Sequence, residues 1–177
     1  MASILAFAGS NSSTSINFKL VKHTTSIIQG HEIQVVNLAN FPFPMYSEDH
    51  EKENGYSNSL VEFKNDIQKA AGLIISVNEH NSNPSAYFKN LIDWLSRLER
   101  NFLENTPILL MSTSGGKRGA SSALEVTRNL LPRFGAKIVD TFSLPSFHVN
   151  FDSEKGISDV ALAAQHKKVV DNFLNAL

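Results

Sequence analysis

The stretch GLIISV, residues 72–77, is the strongest indication of the fold in this sequence. Strands covered by helices on both faces appear as nearly unbroken apolar runs, because neither face of such a strand meets water. A second run of this kind, PILLMS, follows at residues 107–112. We therefore predict that both segments are buried strands of a parallel sheet.

Shorter apolar runs and amphipathic stretches alternate on either side of these two segments. Short apolar runs predict further strands, and apolar residues spaced as i, i+3 and i+7 predict helices. The predicted strands are residues 3–8, 32–38, 72–77, 107–112 and 137–144, and the predicted helices are residues 15–29, 58–71, 84–100, 119–131 and 158–176. Residues 41–56, which contain Pro42, Pro44 and Gly55, are predicted to form a long loop.

Five strands separated by helices predict a single α/β domain spanning residues 1–177. Right-handed crossovers leave few topologies, and we expect strand order 2-1-3-4-5 with helices on both faces of the sheet. In that order the ligand crevice lies at the carboxyl ends of strands 1 and 3. Polar residues of a binding site should therefore follow strands 1, 3 and 4.

The composition of the chain argues against several classes of function. Of the 177 residues 42% are hydrophobic and 19% are charged, the formal net charge is −1, and there is no cysteine. We therefore expect no nucleic-acid partner, no membrane partner, no disulfide and no thiolate metal site. Because no signal-peptide pattern follows Met1, we expect a cytoplasmic protein.

Small polar residues and glycines collect after the first, third and fourth predicted strands. The three loops are GSNSSTSIN at residues 9–17, NEHNSNPS at residues 78–85 and TSGGKRG at residues 113–119. Because the carboxyl ends of parallel strands lie at one edge of a sheet, these loops should line a common rim.

The first loop, residues 9–17, has the composition of a phosphate site. Gly9 permits a tight turn, while hydroxyl groups and free amides at the start of the following helix favour an anion. The alternative is that Ser13, Thr14 or Ser15 only caps the helix, although one cap needs a single hydroxyl. The loop matches neither the Walker A pattern nor G-x-G-x-x-G, which argues against an NTPase and an ordinary dinucleotide fold.

The second loop, residues 78–85, has two interpretations. Glu79, His80 and Asn81 can hydrogen-bond the edge of a planar ring, or they can form a solvated turn. A metal site at His80 is less favoured, because the loop lacks a convincing second and third ligand. We therefore predict no metal ion.

The third loop, residues 113–119, brings backbone close to whatever occupies the crevice. Gly115 and Gly116 leave room for a ligand, and Ser114 can donate a hydrogen bond to it. A nucleophilic Ser114 needs a general base, for which the rim offers only His80, without an aspartate to orient it. We therefore favour a binding role for Ser114 and name no catalytic residue.

Taken together, the three loops resemble the sequence signatures of the NAD(P)H-dependent FMN reductase family. The first loop is similar to G-S-x-R-x-x-S-x-N, and the third is similar to S-x-G-x-x-G before a helix of small residues. NEHN and the later FKNLIDW are similar to the family's P-E-Y-N and L-K-N-x-x-D-W. The matching residues of the first two signatures are Gly9, Ser10, Ser15, Asn17, Glu79, Asn81, Lys89, Asn90, Asp93 and Trp94.

The resemblance implies a flavodoxin-like three-layer sandwich that binds FMN. It places the phosphate of FMN in the loop Ser10–Asn17 and the isoalloxazine ring against Asn78–Asn81, where Ser114–Gly116 approaches the ring. The cofactor-binding residues implied in this way are Gly9, Ser10, Ser12, Ser15, Ile16, Asn17, Asn78, Glu79, His80, Asn81, Ser114, Gly115 and Gly116.

The resemblance also implies an activity and an assembly. A hydride from NADPH or NADH passes to the flavin and then to a small-molecule electron acceptor such as free flavin, a quinone or another small oxidant. Ser12 stands where the family has Arg, and Asn78 and His80 stand where it has Pro and Tyr, so NADH is a serious alternative to NADPH. The family further implies a homodimer or homotetramer.

A flavodoxin-type FMN-binding electron carrier, without nucleotide turnover, is the alternative function. Flavodoxins commonly carry a strongly acidic surface that meets their redox partners. The net charge of −1 of this chain therefore favours the reductase over the carrier.

Overall fold

A five-stranded parallel sheet forms the middle layer of the computed structural model, which describes residues 1–177. Its strands are β1 (Ser3–Ala8), β2 (Glu32–Val36), β3 (Gly72–Val77), β4 (Pro107–Thr113) and β5 (Lys137–Leu144). They lie in the order β2-β1-β3-β4-β5, and each neighbouring pair is parallel. The predicted strand order is confirmed, with β3 at the centre of the sheet.

Two layers of helices cover the sheet. The helices are α1 (Ile16–Ser26), α2 (Glu48–Asn54), α3 (Asn58–Lys69), α4 (Ala86–Leu98), α5 (Ser121–Leu130), α6 (Phe147–Asn150) and α7 (Val160–Leu174). Helices α3, α4 and α5 share one hydrophobic core with the sheet, and α1 and α7 share the other. Along β3, Leu73 and Ile75 belong to the first core and Ile74 to the second, so this strand is apolar on both faces.

The flavodoxin-like three-layer sandwich is thus confirmed. None of the helices has both the length and the apolar character that crossing a membrane requires.

The predicted helices, apart from their ends, are confirmed, and each begins and ends within three residues of its predicted bounds. Helices α1 and α4 begin directly after Ser15 and Ser85, because the hydroxyl groups of these serines cap them. The two hydroxyls accept hydrogen bonds from the backbone N–H groups of Phe18 and Phe88. Strand β2 ends early because Asn37 caps a short 3₁₀ turn directly after it.

The prediction of a long loop at residues 41–56 is wrong at residues 48–54, which form α2. Ser47 caps this helix through a hydrogen bond of 3.1 Å from the backbone N–H of His50, and three acidic residues in the first turn suit its positive end. No residue of α2 is buried, so the apolar spacing that reveals the other helices is missing here.

Two side chains of α4 hold the segment that precedes α2. The indole Nε1 of Trp94 donates to the carbonyl oxygen of Pro44 at 2.8 Å. The amide of Asn90 donates to the same oxygen at 3.0 Å and accepts from the backbone N–H of Tyr46 at 2.8 Å. Asn90 and Trp94, which both match the family signatures, therefore hold the segment after β2 in place against α4.

Glu51 fixes the same segment from α2. Its carboxylate accepts hydrogen bonds from the hydroxyl groups of Tyr46, at 2.8 Å, and Tyr56, at 2.7 Å, and from Nε of Arg97 at 3.1 Å. The hydrogen bond from Tyr56, followed by that from Tyr46, lowers the pKa of Glu51. Desolvation, followed by the hydrogen bond to Glu51, raises the pKa of Tyr56 to about 12.

Short elements that the sequence did not predict follow β3 and β5. Residues 79–80 pair with residues 83–84 in a hairpin whose turn residues, Asn81 and Ser82, have φ values of 52° and 63°. Positive φ at both central positions is typical of the tight turns that match the twist of a hairpin. After β5, the chain forms α6 and then a second hairpin, in which residues 151–152 pair with residues 156–157.

Candidate functional site

Side-chain hydrogen bonds join the three polar loops at the carboxyl edge of the sheet. Ser85 Oγ donates to the carbonyl oxygen of Gly9 at 3.1 Å and so links the second loop to the first. Asn17 Nδ2 donates to the carbonyl oxygen of Thr113 at 3.1 Å and so links the first loop to the third. The loops therefore lie side by side on one rim, as the strand order predicts.

The phosphate loop, residues 10–17, leaves backbone donors free at the positive end of α1. Ser15 caps the helix, with its Oγ 3.1 Å from the backbone nitrogen of Phe18. The backbone N–H groups of Ile16 and Asn17, in the first turn, donate to no acceptor within the chain. Unpaired N–H groups at a helix N-terminus, together with the helix dipole, bind anions. This set of donors fits a phosphate group.

The hydroxyl groups of the phosphate loop shape it and add further donors. Ser10 Oγ accepts from the backbone nitrogen of Ser12 at 3.2 Å, and Ser12 Oγ accepts from that of Thr14 at 3.3 Å. A hydroxyl that accepts a hydrogen bond keeps its own hydrogen for another partner. Since residues 9–17 contain no Lys or Arg, the loop offers a phosphate only neutral donors.

Gly9 occupies a position where packing tolerates no side chain. A Cβ atom at Gly9 would lie 2.5 Å from Cδ2 of Phe88, in the first turn of α4. The glycine predicted to contact the cofactor thus also allows α4 to pack closely against the end of β1.

Asn17 is 2% exposed, and its side chain forms three hydrogen bonds within the protein. Oδ1 accepts from Ser76 Oγ at 2.7 Å and from the backbone nitrogen of Thr113 at 3.0 Å, and Nδ2 makes the bond to Thr113 described above. The backbone N–H of Asn17 is unpaired at the start of α1, whereas its side chain joins α1 to β3 and β4.

The second loop directs its side chains in different ways. Glu79 Oε2 accepts from the backbone nitrogen of Ala123, in the first turn of α5, at 3.0 Å. His80 and Asn81 are exposed on the hairpin. Asn78 Oδ1 is buried without a hydrogen-bond partner, while its Nδ2 lies 3.5 Å from Nε2 of His80. The side-chain oxygen of Asn78 is therefore an acceptor that the protein itself leaves unused.

The third loop presents open backbone to the rim. Gly115 and Gly116 are exposed, and a Cβ atom at either would meet no atom closer than 3.7 Å. Ser114 Oγ accepts from the backbone nitrogen of Gly116 at 3.3 Å and forms no hydrogen bond with His80. The glycines leave space for a flat ligand, and Ser114 lacks the hydrogen-bonded base that a nucleophile uses.

The chain after β5 forms a fourth part of the rim, which the sequence analysis missed. The backbone nitrogens of Ser146 and Phe147 donate to the carbonyl oxygens of Gly116, at 2.8 Å, and Ser114, at 3.0 Å. The ring of His148, in α6, lies beside Gly115, and the neighbouring Val149 is 77% exposed. The signal was available, because β5 also ends at the carboxyl edge of the sheet.

The residues of the rim can bind a ligand through neutral hydrogen-bond donors. Backbone N–H groups and hydroxyls surround the start of α1, and bare glycine backbone and a polar hairpin lie beside them. No group of three or more His, Asp and Glu side chains is placed so that it could hold a metal ion. The rim therefore suits an elongated ligand with a phosphate at one end and a flat polar ring at the other.

Comparisons with known proteins show the family of this chain. The sequence model of the NADPH-dependent FMN reductase family matches residues 2–149. The chain is 30% identical to a quinone reductase of Escherichia coli K12 over 97 residues. The aligned residues make up 55% of this chain and 52% of that protein. The match thus spans about half the length of that relative.

Two further similarities cover almost the whole chain. It is 26% identical over 179 residues to an NADPH:quinone oxidoreductase of Arabidopsis thaliana, covering 94% of this chain and 87% of that one. Among solved structures, FerB, a flavoenzyme NAD(P)H:(acceptor) oxidoreductase of Paracoccus denitrificans, superimposes with a TM-score of 0.80. That likeness covers 99% of this chain and 96% of FerB at 23% identity, and it speaks for the fold alone.

Proposed function

Because this chain belongs to the NADPH-dependent FMN reductase family, we propose that it is an FMN-dependent oxidoreductase that takes a hydride from NADPH or NADH. The observation that carries the proposal is the pair of unpaired N–H groups of Ile16 and Asn17, on the same rim as the open glycines of the third loop. A phosphate and a flat ring of one ligand can occupy these two places together.

The proposed FMN site uses the residues of the rim in three groups. Ser10, Ser12, Ser15 and the backbone of residues 16–17 hold the phosphate through neutral donors. The ring lies between the hairpin residues Asn78, Glu79, His80 and Asn81 and the backbone of Ser114, Gly115 and Gly116. Gly9 keeps α4 close beneath the site, because any side chain there meets Phe88.

When bound, FMN supplies the redox chemistry, taking up a hydride from a nicotinamide and returning two electrons to an acceptor. The chain itself binds and orients the reactants. Its free N–H groups neutralise part of the phosphate charge through the helix dipole. Asn78 Oδ1, a buried acceptor without a partner, is available to an N–H group at the ring edge. No residue of the rim has to act as an acid or a base in this scheme.

The acceptor proposed for this enzyme is a small molecule, either a quinone or free flavin. Relatives support this choice, since they include quinone reductases and an NADH-dependent flavin reductase subunit of Lactobacillus johnsonii. Gly115 is exposed and lies beside His148, and the neighbouring Val149 is exposed as well, so this side of the rim leaves apolar surface open to an aromatic acceptor. NADH stays an alternative to NADPH in this proposal, because the phosphate loop has Ser12 where the family has an arginine.

We also propose that the protein is a homodimer or homotetramer and that it works in the cytoplasm. The apolar side of α4 packs into the hydrophobic core, where Phe88, Leu91 and Leu95 are buried. An interface between subunits therefore has to use other surfaces. The lack of cysteine suits a reducing compartment. Light scattering at micromolar concentration tests the assembly, and a monomeric mass there rules it out.

The visible absorption spectrum tests the activity. Purified protein is loaded with FMN, kept free of oxygen, and mixed with NADH or NADPH in separate cuvettes. We expect a yellow protein whose colour is bleached by at least one nucleotide and restored by a quinone. A yellow protein that neither nucleotide bleaches points to a flavodoxin-type carrier, and protein that binds no FMN overturns both functions.

A further inference from the structure

Asn17 lies between the two halves of the proposed FMN site. Its position in the first turn of α1 puts its backbone N–H at the phosphate end. Its side chain instead bonds Ser76, near the end of β3, and both backbone polar groups of Thr113, the last residue of β4. Thr113 is also the first residue of the third loop, in which it is followed directly by Ser114.

From this geometry we infer that Asn17 is a positioning residue, which fixes the distance between the phosphate loop and the third loop. The inference rests on the proposed function, because it concerns the FMN site. It differs from a role in which the Asn17 side chain contacts the phosphate. The side chain is 2% exposed, and Oδ1 is already occupied by two donors.

The carboxamide group suits this role better than other side chains. It offers an acceptor oxygen and a donor nitrogen in one plane, so it can pair with an N–H and a C=O of the same residue. Thr113 presents such a pair, at 3.0 Å from Oδ1 and 3.1 Å from Nδ2. Removing the carboxamide leaves these backbone groups without partners in a buried place, which favours a shift of the third loop.

If the third loop shifts, it binds the ring less tightly, and any ligand that contains the ring is affected. FMN and riboflavin share the ring, but riboflavin has no phosphate. If Asn17 positions the loops, its loss weakens the binding of both compounds. If the Asn17 side chain contacts the phosphate, its loss weakens the binding of FMN and leaves riboflavin unaffected.

The experiment measures the affinity of the Asn17→Ala protein for FMN and for riboflavin by quenching of flavin fluorescence. We expect both affinities to fall by about tenfold, the size of a well-made buried hydrogen bond, with little change in their ratio. The absorption bands of the bound ring should also shift, because the backbone beside it has moved. A loss of FMN affinity with riboflavin affinity and ring spectrum unchanged overturns the inference.

Ser76→Ala provides a second variant, in case Asn17→Ala does not fold. Ser76 is fully buried and reaches the site only through Asn17 Oδ1, so it cannot touch a ligand itself. We expect a smaller loss of affinity, again shared by FMN and riboflavin. An unchanged affinity for both, in a protein of lower stability, counts against the inference.

Thr24→Val is the matched control. Thr24 also lies on α1, is fully buried, and donates to the carbonyl oxygen of Leu20 at 2.9 Å, but it is two helical turns away from Asn17. We expect lower thermal stability and unchanged affinity for both flavins. Wild-type protein that binds neither flavin overturns the proposed function itself, which is a different result from a changed ratio of affinities.

Discussion

The carboxylate of Glu79 caps α5 from a distant part of the chain, with Glu79 Oε2 3.0 Å from the backbone nitrogen of Ala123. The residue that precedes α5, Ala120, has a left-handed backbone and no side chain that could cap the helix. Glu79 fills that place, and its negative charge also suits the positive end of the helix. The hairpin proposed to border the flavin ring is thereby joined to α5.

Replacing Glu79 by alanine should destabilise the protein by about 1 kcal/mol, the usual effect of losing a helix cap. Glu79→Gln keeps an oxygen that can accept the hydrogen bond, so we expect a smaller loss. Thermal unfolding of both variants measures the effect, and the midpoint of Glu79→Ala should fall by about 3 °C.

Glu125→Ala is the matched control for the cap. Glu125 lies on the same helix and pairs only with exposed partners, Arg128 at 3.4 Å and Asn129 at 3.0 Å. Such surface pairs contribute little to protein stability, so the stability of Glu125→Ala should stay close to that of the wild type. Equal losses in Glu79→Ala and Glu125→Ala would contradict a capping role for Glu79.

Two glycines of the rim should respond differently to replacement by alanine. A Cβ atom at Gly9 lies 2.5 Å from Phe88, so Gly9→Ala should destabilise the protein by ~1–3 kcal/mol, as overpacked cores do. A Cβ atom at Gly115 meets only His148, at 3.8 Å, so Gly115→Ala should leave stability unchanged and weaken FMN binding.

Denaturant unfolding and FMN titration of both variants separate these effects. If Gly115→Ala binds FMN as tightly as the wild type, the ring does not approach the third loop.

The centre of the sheet was predictable from the sequence because residues 72–77 and 107–112 are continuous apolar runs, of which the first is buried throughout. The contacts that assemble the site were not, because they join residues far apart in the chain. Asn17 and Thr113 are 96 residues apart, and Glu79 and Ala123 are 44 residues apart. A sequence pattern shows that Asn17 and Glu79 are polar residues near strand ends, but it does not show whether they face a ligand or the protein.

Val149 should affect the acceptor and leave FMN binding unchanged. This side chain is 77% exposed in α6, which hydrogen bonds fix to the third loop. Val149→Ser removes apolar surface that an aromatic acceptor can cover, so we expect KM for a quinone to rise about threefold, in line with a modest loss of buried area. Steady-state kinetics with a quinone, together with FMN titration, measures both quantities.

Ile27→Ser is the control for this change. Ile27 is 45% exposed, but it lies just after the last residue of α1, at the end opposite to the phosphate loop. Its KM should equal that of the wild type. If KM is unchanged in Val149→Ser as well, α6 does not border the acceptor site.

His166 should make the stability of the protein depend on pH. It is 2% exposed, its Nε2 lies 2.9 Å from Thr24 Oγ1, and its ring stacks on that of His23 with 5.5 Å between centroids. Burial, followed by the neighbouring His23, lowers the pKa of His166 from 6.5 to about 4. Between these two pH values the unfolded chain binds a proton that the folded chain does not bind.

The contribution of neutral His166 to the free energy of unfolding is therefore complete above pH 6.5. It decreases as pH falls toward 4, by roughly 3 kcal/mol in total. His166→Gln removes this proton, so its free energy of unfolding should change less between these pH values. Some dependence should remain, because burial lowers the pKa of His23 as well. An equally steep decrease in His166→Gln would exclude His166 as its source.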